Sequence, residues 1–395
     1  MSIRHSTTSW VEISQSALRK NVSTLVKYIG GEITPLLCVK ANAYGHGDSV
    51  VANILQNHNS TTWFGVHSLE EVRRLRAAGI THPVYIMGPV QLSSVKEIIE
   101  LDAQFVTYDY EHLAEAQRHA EALNTVARVH IKIETGNNRQ GIGTLDAARL
   151  CTAAQAMKNV HIEGLATHFA NIEDIYTPWF FKKTISQLGS LNAFPQRQLQ
   201  RFSETIATLK SQGYTFDKIH CANSAATLLF PETHFSMVRP GIIIYGLWPS
   251  ESVKEAFEKR ARINNPFEPV LSWKTFVGHI KNVPKGESIG YGCTFKTKRD
   301  TQIAVLPVGY YDGYDRGLSN KGYVLIHNLP APVRGRICMN MLMVDITDIP
   351  NVKLEDTVTL IGEGVTVDDM AKNANTINYE ITTRIREGIP RIVVD

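Results

Sequence analysis

Cysteine is scarce in this chain, and no two cysteines have the spacing of a metal site. The five cysteines are odd in number, lie far apart and form no Cys-x-x-Cys pair (Cys38, Cys151, Cys221, Cys293 and Cys338). This pattern argues against a disulfide framework and against a zinc site, and it is typical of proteins from a reducing compartment. We therefore expect no metal and a cytoplasmic location.

Long apolar runs and a strong charge of either sign are also missing. No apolar run approaches the roughly 18 residues that a membrane span requires. The opening residues, MSIRHSTTSWVEIS, lack the apolar centre of a signal peptide. The formal net charge is only +3 over 395 residues, so we expect neither nucleic acid nor a membrane as partner. These absences favour a protein that acts on a small molecule.

From residue 34 to about residue 246, short apolar runs alternate with amphipathic stretches of helical length. The strand candidates lie at 35–40, 63–67, 83–88, 105–109, 126–134, 162–169, 218–222 and 237–246. Their number is that of a (β/α)8 barrel, although a doubly wound open sheet shows the same alternation. Ser68 followed by Glu71 resembles a capping box at the start of one helix.

After Gly246 the pattern changes to strand-like segments punctuated by Gly and Pro, which is typical of a small β-sandwich or barrel. We expect an α/β protein with a (β/α)8 TIM-type barrel at 14–250 and a smaller, mainly-β domain at 251–395. Residues 1–13 are candidates for packing with the β domain. The stretch 169–198 is long for a connection inside a barrel and indicates an insertion or a functional loop.

Residues suited to binding or catalysis lie at or just after five of the strand candidates, and in a (β/α)8 barrel the chemistry lies at the carboxyl ends of the strands. In chain order these residues are Lys40, Tyr44, Arg139, His168, Asn223, Ser224, Arg239 and Gly241. Each has an ordinary alternative role, such as a surface lysine, a loop arginine, a core histidine or a helix N-cap. Their coincidence on one rim favours a functional site.

The residue types on this rim predict an anionic cofactor held by a phosphate group. Ser224 opens a helix whose N-terminal amides attract anions, and Gly241 lets the backbone approach closely. A lysine across the same barrel mouth suggests a Schiff base with pyridoxal phosphate. Lys40 is the candidate because it ends the first strand candidate. Lysine suits this chemistry, since burial and nearby cations readily lower the pKa of a lysine amine.

The segment VKANAYGHG, at 39–47, opens a series of motifs that runs along the chain. It resembles the segment that carries the cofactor lysine in the alanine racemase family. The resemblance continues through the remaining motifs in the expected order, at 132–143, 167–170, 223–226, 238–246, 290–292, 335–340 and 378–380. It covers essentially the whole chain.

The resemblance implies a pyridoxal phosphate-dependent isomerase that interconverts L- and D-alanine and supplies D-alanine to bacterial peptidoglycan. Lys40 would carry the cofactor and act as one acid/base group, and Tyr291 would act on the opposite face of the substrate. Inversion of a stereocentre needs proton removal on one face and delivery on the other. The family is a head-to-tail homodimer, so Tyr291 would enter the active site of the other subunit.

The same resemblance assigns roles to the remaining residues. Arg239 would face the pyridine nitrogen, and His168 would join it in a network that supports Tyr291. Cofactor binding would involve Tyr44, Arg139, His168, Asn223, Ser224, Arg239, Gly241, Ile242 and Tyr379. Arg139 and the backbone of Met339 from the partner subunit would bind the substrate carboxylate, and Asn340 would lie near it in the substrate site. Lys132 matches a lysine that is carbamylated in many family members.

The sequence departs from the family pattern at two places. Asn340 stands where many members have Asp, and Asn137-Asn138 replace a common Met-Gly pair. Both changes keep a racemase of serine, lysine or a broader set of amino acids as an alternative. A cofactor carrier without turnover would end near the last barrel strand. A related decarboxylase would pair the pyridine nitrogen with an acidic residue rather than with Arg239.

Overall fold

The computed structural model describes residues 7–58, 62–173 and 193–395. Much of the long connection predicted at 169–198 therefore lies outside the described residues. The chain divides into two compact units. The barrel unit comprises Leu18–Ala41 and Val51–Glu268, and the β unit comprises Met1–Ala17, Asn42–Val50 and Pro269–Asp395. Within the described ranges, no helix combines the length and the apolar character that crossing a bilayer needs.

The helices and strands alternate through the first part of the chain. The strands are β1 Ser9–Ser14, β2 Thr34–Cys38, β3 Trp63–Val66, β4 Val84–Ile86, β5 Ala103–Thr107, β6 Ala127–Lys132, β7 Val160–Ala166, β8 Lys218–His220, β9 Met237–Val238, β10 Leu271–Phe276, β11 His279–Val283, β12 Ser288–Ile289, β13 Phe295–Lys296, β14 Thr301–Leu306, β15 Tyr323–Ile326, β16 Leu329–Pro332, β17 Leu342–Asp345, β18 Thr357–Ile361 and β19 Arg391–Val394. The helices are α1 Gln15–Ile29, α2 Lys40–Tyr44, α3 Asp48–Gln56, α4 Leu69–Ala77, α5 Val95–Glu100, α6 Tyr110–Ala122, α7 Thr144–Gln155, α8 Ala193–Ser211, α9 Ser224–Leu229, α10 Glu251–Ala261, α11 Val367–Ala374 and α12 Asn378–Thr383.

Eight parallel strands form the sheet of the barrel unit, in the order β8-β7-β6-β5-β4-β3-β2-β9. Backbone hydrogen bonds from Ser236 N to Ile219 O (3.3 Å) and from Arg239 N to Ala222 O (2.8 Å) join the two ends of this order. Neighbouring strands such as β2 and β3 bury apolar side chains completely, as at Leu36 and Phe64. The predicted fold class, a (β/α)8 barrel followed by a mainly-β domain, is confirmed.

The predicted eighth strand at 237–246 is wrong in its length. β9 consists of two residues, Met237–Val238, and a 3-10 turn follows at Ile242–Tyr245. Pro240 has no N–H group to donate to a neighbouring strand, which is why the ladder stops before it. The apolar run of isoleucines that suggested a strand is buried as a turn instead.

The β unit contains a six-stranded sheet with the order β16-β15-β18-β10-β1-β19. β1 pairs antiparallel with β10 and parallel with β19, so strands from near both ends of the chain share one sheet. A separate three-stranded sheet has the order β11-β14-β17. The predicted segment 270–283 divides into β10 and β11 around Gly278.

Candidate active site

Lys40 directly follows a buried strand end. β2 is followed by Val39, which is fully buried, and Lys40 begins α2. The carboxylate of Glu71 accepts hydrogen bonds from Ala41 N (2.7 Å) and from the backbone N–H of His67. The predicted capping box is therefore absent, because Ser68 makes no side-chain cap hydrogen bond and the Glu71 carboxylate accepts from the turn that follows Lys40.

The chain after Lys40 takes an unusual backbone conformation. Ala41, Asn42, Ala43 and Tyr44 have φ angles of 53, 54, 52 and 55°. This is a left-handed helical turn of four residues with side chains, a conformation that L-amino acids adopt rarely and at an energetic cost. The sequence predicted only a loop at this place.

Arg139 lies on a loop organised by a carboxylate. Glu134 accepts hydrogen bonds from backbone N–H groups of residues 136–139. Burial would raise the pKa of Glu134, but these bonds together lower it. A carboxylate that stays ionised holds the loop in one conformation, so Glu134 positions the exposed Arg139 side chain.

Arg239 and His168 are in direct contact. Arg239 is 6% exposed, and its Nη2 lies 3.2 Å from His168 Nδ1 and donates to Thr167 O at 2.7 Å. Its Nη1 lies 2.6 Å from His220 Nδ1. The guanidinium is thus held between the ends of β7 and β8.

Positive charge predominates around His168. Burial, and after it the charges of Arg239, Lys132, Arg139 and Lys40, hold the pKa of His168 well below its usual range. These four cationic groups come from the carboxyl ends of three different strands or from the loops after them. Such a gathering suits a ligand that carries several negative charges.

Lys132, the last residue of β6, is itself affected by this charge. Burial is the largest cause that lowers its pKa well below the usual range, and the charges of Arg239 and Arg139 add to it. Glu134 opposes the shift. The amine of Lys132 is therefore more readily deprotonated than that of an ordinary lysine.

Asn223 and Ser224 follow β8 and open α9. The Asn223 side chain accepts a hydrogen bond from Ala226 N at 3.1 Å, which makes it the N-cap. Ser224 Oγ accepts from Gly241 N at 2.9 Å. This bond uses the Gly241 amide and leaves the Ser224 hydroxyl proton available to an acceptor. Ile242 follows Gly241 directly in the chain.

Other predicted residues belong to the β unit. The rings of Tyr44 and Tyr379 lie 6.1 Å apart, centroid to centroid, at an interplanar angle of 47°. Tyr291 is 72% exposed and Met339 is 54% exposed. A side chain in place of Gly292, next to Tyr291, would meet Arg336 at 2.8 Å, so the Tyr291 loop lies beside the segment that carries Met339 and Asn340.

The structure thus brings the predicted residues together in three groups. The first surrounds Arg239 in the barrel unit, the second is the tyrosine pair of the β unit, and the third is the exposed Tyr291 and Met339 region. Sequence reasoning missed Glu71, Glu134 and His220. Glu71 resembles a helix cap, Glu134 lies inside the motif at 132–143, and His220 lies in the strand candidate at 218–222.

A phosphate-bearing cofactor fits the barrel group by its chemistry. The group offers a lysine at a strand end, an available serine hydroxyl and a buried arginine beside a histidine. It also contains more cationic groups than the Glu134 carboxylate balances. Lysine would supply the covalent bond, and the other groups would neutralise the phosphate and a substrate carboxylate.

Comparison with known proteins identifies one family along nearly the whole chain. Residues 13–249 match the family "Alanine racemase, N-terminal domain", and residues 270–393 match "Alanine racemase, C-terminal domain". An alanine racemase of Methanococcus maripaludis is 36% identical over 97% of this chain and 98% of its own length.

Two solved structures are similar throughout. The alanine racemase of Clostridium difficile 630 in complex with cycloserine has a TM-score of 0.86 and 30% identity, covering 98% of this chain and 96% of the other. The alanine racemase of Bartonella henselae with covalently bound pyridoxal phosphate has a TM-score of 0.81 and 25% identity, covering 98% and 100%. The resemblance seen in the motifs is confirmed, and the chain belongs to the alanine racemase family.

Proposed function

We propose that this chain uses pyridoxal phosphate to interconvert L- and D-alanine in the cytoplasm, as a homodimer, and supplies D-alanine to bacterial peptidoglycan. The observation that carries the proposal is that Arg239 Nη2 lies 3.2 Å from His168 Nδ1, while Lys132 and Arg139 line a pocket together with His168. The positive charge of Lys40 also acts on His168. Similar enzymes at 36% identity are alanine racemases, and a structural neighbour carries covalently bound pyridoxal phosphate.

Two residues would exchange the proton of the substrate. When bound, pyridoxal phosphate supplies an electron sink that stabilises the charge left on the α-carbon. Lys40, held at the end of β2, would act on one face of that carbon. Tyr291 of a second subunit would act on the other face, which its 72% exposure in the single chain permits.

The remaining residues would bind and orient. Arg239 Nη1 and Nη2 each contact a protein acceptor, and a guanidinium hydrogen not used in these contacts would donate to the pyridine nitrogen. Because a guanidinium keeps its proton, this nitrogen would stay unprotonated. The phosphate would be bound by the side chains of Tyr44, Ser224 and Tyr379 and by the backbone amide of Ile242, because the Gly241 amide already donates to Ser224 Oγ.

The substrate carboxylate would be bound by Arg139 together with the backbone of Met339 from the second subunit, with Asn340 of that subunit nearby in the substrate site. Within the β unit, Tyr311 N donates to Met339 O at 3.0 Å, so the Met339 segment has a defined backbone support. A bidentate arginine is the side chain best suited to a planar carboxylate.

The test is chiral analysis of the purified, cofactor-loaded protein in D2O with L-alanine, L-serine and L-lysine in parallel. We expect D-alanine to form fastest, with deuterium at the α-carbon. Lys40→Ala should abolish the exchange, whereas Lys96→Ala, on the surface of α5, should leave it unchanged. Faster turnover of serine or lysine would move the enzyme to another substrate, and no exchange at all would favour a cofactor carrier.

A polar cavity supports the second candidate function, a racemase of serine or lysine. Described residues bound a cavity of about 300 Å³ whose lining includes Asn137, Arg139, His168, Asn171 and Glu173. Two of these residues, Arg139 and His168, belong to the proposed site. A polar or cationic substrate side chain would find hydrogen-bond partners there that a methyl group does not need.

We also propose that Lys132 is carbamylated. Its deprotonated amine would attack CO2 to form a carbamate and release one proton, and the product anion would lie near Arg139 and Arg239. Incubation with 13C-bicarbonate should give a carbamate carbon signal in NMR that Lys132→Ala lacks. An identical signal from both proteins would contradict the assignment.

A further inference from the structure

A chain of buried hydrogen bonds runs through the barrel interior from Arg239. Arg239 Nη1 lies 2.6 Å from His220 Nδ1, His220 Nε2 lies 2.9 Å from His130 Nδ1, and His130 Nε2 lies 2.8 Å from Gln104 Oε1. Both histidines are fully buried, and Gln104 is 7% exposed. The residues come from β5, β6, β8 and the position just after β9.

Only one donor-to-acceptor direction along this series of hydrogen bonds gives every donor an acceptor. A guanidinium can donate but cannot accept, so His220 Nδ1 must accept and its Nε2 must carry the proton. His220 Nε2–H then donates to His130 Nδ1, and His130 Nε2–H donates to the Gln104 amide oxygen. Reversal would place a His220 Nδ1–H against the guanidinium, which leaves two buried donors facing each other.

Aromatic rings enclose the two histidines. The Tyr85 ring lies 4.3 Å from the His130 ring and 5.5 Å from the His220 ring, centroid to centroid, and Trp63 approaches His130 at 6.3 Å. Burial, with the charge of Arg239, lowers the pKa of His130 to about 3, and the same causes lower that of His220 well below its usual range. Neither ring takes up a second proton near neutral pH.

Polar groups in such a core stabilise only when every partner is present, and a complete network holds its members in one arrangement. This network ends on the guanidinium that the proposed function places at the pyridine nitrogen. We infer that His130, whose Nε2 bonds to Gln104, is a positioning residue which, through the tautomer of His220, sets the orientation of Arg239. The inference rests on the proposed function for its catalytic consequence, but the proton positions can be measured independently of turnover.

Neutron diffraction from perdeuterated crystals of the cofactor-loaded enzyme tests the direction of the chain. We expect deuterium on Nε2 of His220 and of His130, and none on Nδ1 of either ring. Deuterium on His220 Nδ1 would overturn the inference. This outcome does not depend on which amino acid, if any, the enzyme racemises.

A matched pair of variants tests the consequence for the reaction. In His130→Asn the amide oxygen stands near the place of Nδ1 and can still accept from His220, whereas His130→Leu offers no acceptor. We expect His130→Leu to lower kcat about tenfold with little change in KM, as the loss of one buried hydrogen bond implies. His130→Asn should stay within about threefold of wild type by the same reasoning.

The visible absorption of the bound cofactor gives a second readout that a change in stability alone would not move. His130→Leu should shift this band and His130→Asn should not, because only the first disturbs the donor to the ring nitrogen. His82→Leu controls for the loss of an imidazole, because the Nδ1 of His82 contacts Thr62 O at 2.9 Å outside this network. Equal losses in both His130 variants, with an unshifted band, would show that the network only stabilises the barrel.

Discussion

At position 45 the backbone requires glycine for two separate reasons. The φ angle of Gly45 is +86°, and a Cβ built there would lie 1.9 Å from Thr382 O, which is far inside van der Waals contact. Arg391 Nη2 also donates to Gly45 O at 2.8 Å. Within the β unit, this close approach sets the position of Tyr44 beside Tyr379.

We predict that Gly45→Ala is much more harmful than Gly30→Ala. Gly30 has almost the same φ, +88°, but open space around its Cβ position, so its replacement should lower the free energy of unfolding by only about 1 kcal/mol. Gly45→Ala adds the clash and should lower it by several kcal/mol while weakening cofactor binding. Urea unfolding and cofactor titration measure both effects, and equal losses would mean that the backbone at Thr382 gives way freely.

At the scale of elements, the left-handed turn α2 is the feature that sequence patterns did not reveal. Left-handed geometry disfavours each residue with a Cβ by about 1–2 kcal/mol, so other contacts must compensate. Glu71 accepts from Ala41 N, Asn42 O accepts from Gly47 N at 2.9 Å, and Asn42 Oδ1 accepts from Asp48 N at 3.0 Å. Strain of this kind is concentrated at functional sites, and here it follows the proposed catalytic lysine.

Two Ala→Gly substitutions should therefore change the free energy of unfolding in opposite directions. Ala41 is exposed and left-handed, so Ala41→Gly removes strain without losing packing and should raise the free energy of unfolding by about 0.5–1 kcal/mol, after the entropy of the unfolded chain is counted. Ala77, exposed at the end of the right-handed helix α4, should lose about 0.5–1 kcal/mol on the same change. Denaturant unfolding of both variants decides the matter, and a loss at both positions would refute the strain at Ala41.

At the scale of the whole molecule, the β unit exposes large apolar side chains beside the proposed catalytic tyrosine. Tyr291, Tyr311, Met339 and Met341 are 72, 58, 54 and 50% exposed, and they lie on loops of the same unit. Exposed apolar side chains gathered in this way are typical of surfaces that meet another protein. They support the proposal that two chains share each active site.

Complementation tests the shared site. Lys40→Ala and Tyr291→Phe homodimers should each be nearly inactive, because one proton-transfer group is missing from every site. Dimers formed by exchange between the two variants contain one site with both groups intact, so a random mixture should regain about one quarter of wild-type activity. Persistent inactivity of purified heterodimers, despite confirmed exchange, would mean that each site is built from one chain.

Features that depend on neighbouring residues in the sequence could be predicted, whereas contacts between residues distant in the sequence could not. Short apolar runs that alternate with amphipathic stretches are a local signal, and they predict the barrel strands. The rim residues follow from their place at or just after the ends of five strand candidates. Strand β9 was predicted too long because apolar content does not distinguish a strand from a buried turn, and Pro240 ends the pairing. Glu71 was interpreted as a helix cap because sequence spacing does not reveal a partner about thirty residues away.

The sequence by itself determined the fold class, the family and the residue types of the candidate site, because these depend on periodicity and on motifs read along the chain. Only the tertiary structure decided which groups touch. The chain from Gln104 to Arg239 joins residues of several strands, and its direction follows from burial, which removes water as an alternative partner and requires each donor to meet an acceptor.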